Sequence, residues 1–305
     1  KALLERMGIP THILPQVVPS GTVLGKLLPS VAEDVGLEGA QVIAPACHDT
    51  GSAVAAVPAE GENWCYISSG TWALMGVELA EPVINERSLE LNFTNEGGFG
   101  GTIRFLKNIM GLWLVQECRR TWARAGEEHS YSELTEMAER AQPFKAFVEP
   151  DHISFLHPGD MPARIREFCK QTNQPIPETK GEFVRCALES LALKCRWVLE
   201  RLEELLGKRL EVIHIVGGGS RNALLCQFTA DATHRPVLAG PAEATAIGNI
   251  MVQALALGYV NSHAEAREII RRSFEVTHYE PQHPEAWEDA YERFLKIMAQ
   301  AETFA

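Results

Sequence analysis

The sequence predicts an α/β layer fold, a mixed sheet flanked by helices, on three observations. Short segments of strand periodicity alternate with longer segments of helical periodicity along most of the chain. From Gly61 onward, alternation and glycine turns add hairpin signals, so the sheet holds antiparallel as well as parallel neighbours. The third is EVIHIVGGGSRNALLCQFTADAT, from Glu211 to Thr233, which runs a strand pattern through three glycines into a helix pattern.

The elements follow in order. Residues 1–58 mix a helix end, a hairpin-like ILPQVVPSGTVLGKL, a helix near Val31–Val35, and the strand QVIAPA leading into CHDTGSAVAAVP. They read as the tail of one domain. In NWCYISSGTWALMGVEL, two strands meet at Ser68-Ser69-Gly70, and a second mixed sheet begins there. After NEGGFGG come the strand TIRFLKN and a helix from Leu112 to about Ala125. The middle of the chain is helical: YSELTEMAERA, MPARIREFCKQT, and a long helix on which Phe183, Ala187, Leu191, Lys194 and Val198 recur at helical spacing before Gly207 stops it. RPVLAG is a strand, EATAIGNIMVQALALG a helix ending at Gly258, and two amphipathic helices close the chain.

Composition narrows the function. At 305 residues, 46% hydrophobic and 22% charged, the chain is long enough for one large or two ordinary domains with real cores. A formal charge of −12 opposes a nucleic-acid or anionic-membrane partner, because phosphates are repelled at long range. No apolar run approaches the roughly 20 residues that span a bilayer, and a cytoplasmic protein acting on small molecules is expected. The seven cysteines contain no C-x-x-C pair and read as reduced, mostly buried thiols rather than a disulfide framework or zinc site. KALLERMGIP opens on Lys1 inside an uncapped helical pattern, so a chain continuing upstream is expected.

Several residues could carry chemistry. A strand, a glycine turn and a helix start commonly bind phosphate, since bare N–H groups and the positive helix end face the ligand. Yet there is no G-x-x-x-x-G-K-[ST], and Asn222 stands where G-x-G-x-x-G needs its third glycine. Gly217, Gly218 and Gly219 thus serve either a tight turn or the close approach of a ligand. Asp49 lies between a strand end and a helix start, where it is either a helix N-cap or a general base facing a ligand crevice. His48 beside it could bond a polyol, SSGTW offers hydroxyls suited to a phosphate, and Asn108 and Gln116 are uncharged hydrogen-bonders.

Taken in order, HDT, ISSGTWALMG, TNEGG, LKNIMGLWLVQ, QTNQPIP and GPAEATAIGN resemble the FGGY carbohydrate kinases, members of the actin-like ATPase group with ribonuclease H-like domains. The resemblance covers nearly all of the chain. It implies an ATP-dependent kinase in which Gly217, Gly218, Gly219 and Asn222 admit the adenosine and α-phosphate, the glycines giving clearance. Thr71 would meet the terminal phosphates and Gln116 would line the nucleotide side. Asp49 would be the general base on a ketose's 1-hydroxyl, with His48, Thr50 and Asn108 holding the sugar. Mg²⁺ is implied as cofactor, with no residue here assigned as its ligand. Residues 1–58 would be the last elements of an N-terminal sugar-binding domain and 59–305 the C-terminal nucleotide-binding domain. The rest of that first domain is a departure from the family pattern: it is not in this sequence. Alternatives are an FGGY kinase for another ketose or polyol, and a noncatalytic actin-like ATP-binding domain, against which Asp49 counts because binding needs no base. Oligomeric state is not encoded in any pattern found.

Overall fold

The structure, a computed structural model, describes residues 1–304. It opens with α1 (Ala2–Arg6), β1 (Thr22–Lys26), α2 (Pro29–Val35) and β2 (Gln41–Ala44). The expected hairpin within residues 13–27 does not form; β1 pairs antiparallel with β2 across α2 instead. Pro15 and Pro19 occupy the place of its first strand, and a proline cannot donate to a ladder.

Helix α3 (Asp49–Ala55) leads to β3 (Trp64–Ser69), β4 (Ala73–Leu79), α4 (Glu86–Glu90), β5 (Thr94–Gly97) and β6 (Ile103–Ile109). The helices α5 (Trp113–Arg124), α6 (Tyr131–Arg140), α7 (Met161–Gln171) and α8 (Lys180–Leu206) follow. The chain then returns to the sheet through β7 (Val212–Val216), α9 (Ala223–Thr233), β8 (Val237–Ala239), α10 (Ala244–Ala256), α11 (His263–Ser273), β9 (Thr277–Tyr279) and α12 (Pro284–Ala301). Strand β9, which lies between the two closing helices, has no counterpart in the sequence reading.

The main sheet has seven strands in the order β5-β6-β4-β3-β7-β8-β9. Strands β3, β7 and β8 are parallel, and the flanking pairings are antiparallel. Its pleat divides two cores. Cys65, Ile67, Met75, Phe105, Ile213 and Ile215 face the larger one, filled by residues of α5, α7, α8, α9 and α12. Tyr66, Leu106 and Val216 face a smaller one built with Ala53 and Val54 of α3, Ala244 and Ile247 of α10, and Ile270 of α11. Period-2 alternation on the strands therefore sorts residues between two buried faces rather than between core and water.

The long α8 begins with a capping box between Thr179 and Glu182 and ends on Gly207 in the left-handed region, φ 63°. Six of the seven thiols are buried, only Cys47 being exposed, and all are free.

Candidate functional site: two cavities joined at a glycine turn

The β3–β4 turn is the centre of the site. Its backbone is docked on the segment entering α5, with Leu112 N–H donating to Gly70 O at 3.1 Å and Trp113 N–H to Thr71 O at 3.1 Å. Gly111 permits this approach, because a Cβ there would stand 2.7 Å from Ala73 N. The Thr71 hydroxyl then meets Gln116 Oε1 at 3.1 Å, joining two residues that are 45 apart in sequence.

A buried charge group braces the same segment. Asp151 Oδ1 accepts from Met110 N–H at 2.7 Å, and Lys194 Nζ reaches Asp151 at 3.1 Å and Glu149 at 2.6 Å. Burial pushes the Glu149 carboxyl up against the pull of Lys194. Burial alone would draw the Lys194 ammonium down, but Glu149 and Asp151 outweigh it and hold it above its ordinary value.

The three glycines do different work. Gly217 has φ +85°, and a Cβ on it would lie 2.9 Å from Ser69 O. A Cβ on Gly219 would lie 2.0 Å from Ser69 Oγ. Both are required by the approach of Ser69 at the end of β3, so for these two glycines packing inside the protein is already a sufficient reason. Gly218 alone has nothing within 4 Å of an added Cβ. One 3-10 turn, Gly218–Arg221, intervenes before Asn222 caps α9 by accepting from Leu225 N–H at 2.9 Å.

Two cavities flank this junction. The first, about 790 Å³, is lined by His48, Asp49, Thr50, Asn108, the β3–β4 turn with Thr71, Gly217 and Gly218. The second, about 610 Å³, is lined by Gly70, Gln116, Gly218, Gly219, Asn222 and residues of α6. Every residue singled out from sequence thus faces one cavity or the other. Sequence reasoning missed Glu96 in the first and Tyr131, Thr135, Glu136 and Arg221 in the second. Glu96 lies in NEGGFGG, whose glycines read as a flexible loop but whose first three residues belong to β5, whereas nothing in the amphipathic pattern of α6 marked its exposed side.

Asp49 is not the N-cap of α3; that place belongs to His48, whose Nδ1 accepts from Thr50 N–H at 3.2 Å. Asp49 Oδ1 shares the same N–H at 2.7 Å and lies 3.0 Å from His48 Nδ1. The two His48 contacts use opposite protonation states of Nδ1, acceptor toward Thr50 and donor toward the carboxylate. The Asp49 side chain is 78% exposed and free to meet a ligand. Helix α10 fixes its backbone: Thr245 Oγ1 donates to Asp49 O at 3.2 Å, and Gly248 crosses α3 where a Cβ would be 1.8 Å from Ser52 O. No group of three or more His, Cys, Asp or Glu side chains able to hold a metal gathers among the described residues.

A mixed-sheet α/β domain, with a carboxylate at the start of a helix in one cavity and a glycine turn shared with a second, has the actin-like fold. The model of the FGGY family of carbohydrate kinases, C-terminal domain, matches residues 65–257. The chain belongs to that family. A rhamnulokinase of Bacteroides thetaiotaomicron is 49% identical over 292 residues, 96% of this chain and 59% of the relative. One of Bacillus subtilis is 40% identical over 279 residues, 92% of this chain and 57% of the relative. The chain therefore spans about three fifths of the length of these relatives. Among solved structures, a ligand-bound xylulose kinase from Lactobacillus acidophilus superposes with TM-score 0.73 at 15% identity, over 100% of this chain and 62% of that one. Plasmodium falciparum glycerol kinase with ADP gives 0.68 at 14%, over 99% and 58%. These two show the shared fold. No helix of the described residues is long and apolar enough to cross a membrane.

Proposed function

We propose that this chain carries the nucleotide site and the general base of an ATP-dependent kinase that converts L-rhamnulose to L-rhamnulose 1-phosphate. The observation that carries the reading is the meeting of the two cavities at Gly218, with Asp49 on one side and Gln116 and Asn222 on the other. The names of the relatives supply the sugar.

In this reading adenosine lies in the second cavity and the phosphate chain crosses Gly218 toward Thr71. Asp49 takes the proton from the sugar's 1-hydroxyl as its oxygen attacks the γ-phosphorus in line, and ADP leaves. Phosphoryl transfer asks mainly for positioning and charge neutralisation, so one base and a well-placed set of donors suffice. His48, Thr50 and Asn108 orient the sugar. Mg²⁺ that arrives with the nucleotide is held largely by phosphate oxygens and water, and with Asp49 serving as base no residue of this chain is assigned as its ligand. When bound, the ion would neutralise charge on the β- and γ-phosphates.

The domain division at residues 58 and 59 belongs to the same proposal, with one refinement: α3 packs into the smaller core of the main sheet, while residues 1–44 hold the exposed Leu3, Met7, Val17, Leu24, Leu28 and Val35. We read that apolar surface as the contact with the remainder of an N-terminal sugar-binding domain. A cytoplasmic location goes with ATP as donor. The test is sugar-dependent ADP release by the full-length kinase over a panel of ketoses and polyols. L-rhamnulose is expected to give the highest kcat/KM, a different best sugar would replace the substrate, and nucleotide binding without turnover on any sugar would overturn the kinase reading.

A further inference from the structure

We infer that Glu96 is a further substrate-binding residue, a carboxylate held against the buried Arg104 guanidinium that accepts a hydrogen bond from a sugar hydroxyl other than the one phosphorylated. This rests on the proposed kinase function and names a contact on its sugar side.

The sheet register creates the pair. Antiparallel pairing of β5 with β6 sets Glu96 opposite Arg104, and the pleat puts Arg104 and Asn108 on the same face, the one turned toward α3. On the other side of Arg104 in the ladder stands Glu78, but Glu78 is engaged by Arg267 at 2.9 Å and Thr102 Oγ1 at 3.1 Å. Glu96 is left as the ion-pair partner of Arg104, with Nη2 to Oε2 at 3.0 Å. Arg104 is only 2% exposed, its Nε donates to Gly97 O at 3.1 Å, and its Nη1 has no partner among the described residues. The guanidinium lies beneath α3, 3.7 Å from where a Gly51 Cβ would be, two residues beyond Asp49.

A buried guanidinium beside a half-satisfied carboxylate is a poor device for stability, since an apolar pair of the same volume would avoid the desolvation. Its position accounts for it. Oε2 of Glu96 is shut away against Arg104, while the side chain as a whole is 27% exposed and lines the same cavity as Asp49 and Asn108. Oε1 is therefore the oxygen offered to a ligand. An ionised carboxylate only accepts hydrogen bonds, so it suits a hydroxyl and repels a phosphate. That chemistry places the sugar, rather than the nucleotide, against Glu96. The pairing with Arg104 fixes the acceptor before the sugar arrives, and preorganisation of this kind favours affinity and orientation.

The test uses the full-length kinase. Glu96→Gln is expected to raise KM for the sugar, and its Kd by titration calorimetry, at least about tenfold, while kcat and the KM for ATP stay within about threefold. A series of deoxy analogues of L-rhamnulose locates the hydroxyl: one analogue loses affinity in the wild type and loses nothing further in the variant. If Glu96→Gln fails to fold because Arg104 is left unpaired, Glu96→Asp, which keeps the charge and withdraws the oxygen by one methylene, is read on the same sugar KM. A folded variant with unchanged sugar KM overturns the inference. So does a raised Mg²⁺ requirement with sugar KM unchanged, which would put Glu96 on the metal side. A wild type active on sugars with an unaffected variant sinks this contact alone, whereas a wild type inactive on every sugar sinks the underlying function.

Discussion

The two cavities are built in opposite ways. The β3–β4 turn between them is bonded to the start of α5, and the second is lined further by that α5 segment, which is pinned through Met110 by Asp151, itself held by the buried Lys194. The first is open, with Asp49 and His48 largely exposed. A nucleotide site serves a ligand common to the whole family and profits from a fixed frame. A sugar site must close around its substrate and exclude water at the moment of transfer. Under the proposed function, this difference predicts that the sheet domain binds nucleotide by itself and that chemistry needs a second surface over Asp49.

The largest effect follows from that second surface. Residues 1–305 alone are expected to bind ATP weakly and to show no measurable sugar phosphorylation, with turnover restored on adding a separately produced N-terminal domain of the full-length kinase. The check is a coupled ADP-release assay with L-rhamnulose, and robust sugar-dependent turnover by the chain alone would erase the contrast between the cavities.

Next in size is the brace. Lys194→Met leaves Glu149 and Asp151 without their cation in a buried place, and should cost about 3–5 kcal/mol of stability. Urea unfolding measures it. A loss below about 1 kcal/mol would mean the group is not a support.

The glycine turn separates packing from ligand clearance within a few residues. Gly219→Ala, whose Cβ would meet the Ser69 side chain at 2.0 Å, should lower stability by roughly 1–3 kcal/mol even without nucleotide. Thermal unfolding of the ligand-free protein decides it. Gly218→Val should leave that stability nearly unchanged, because the added atoms enter open space. It should instead weaken ATP binding about tenfold by calorimetry, worth about 1.4 kcal/mol. Equal effects of the two substitutions would contradict the division of labour found among the glycines.

Much of this frame was legible in the sequence because it is written locally. The β3–β4 hairpin and the stop at Gly207 are each encoded within a few residues. What was not legible depends on which elements meet. Gly217 and Gly219 look like a phosphate loop until Ser69, 148 positions before the first of them, is seen to fill their space. Likewise β1 pairs with β2 only across α2, and β9 is a three-residue edge strand too short to show a period. Glu96 is on β5, in a stretch whose glycines hide the strand, and its significance comes from Arg104 on the neighbouring strand.

The central claim, that Asp49 performs chemistry in one cavity while the nucleotide is held in the other, is tested most directly by Asp49→Asn in the full-length kinase. Turnover and ATP affinity are measured on the same preparation, by ADP release with L-rhamnulose and by calorimetric titration. Loss of a general base predicts kcat lowered at least about a hundredfold, with the Kd for ATP within about twofold of wild type. Near-wild-type turnover in the folded variant would remove Asp49 from the mechanism and, with it, the assignment of the two cavities.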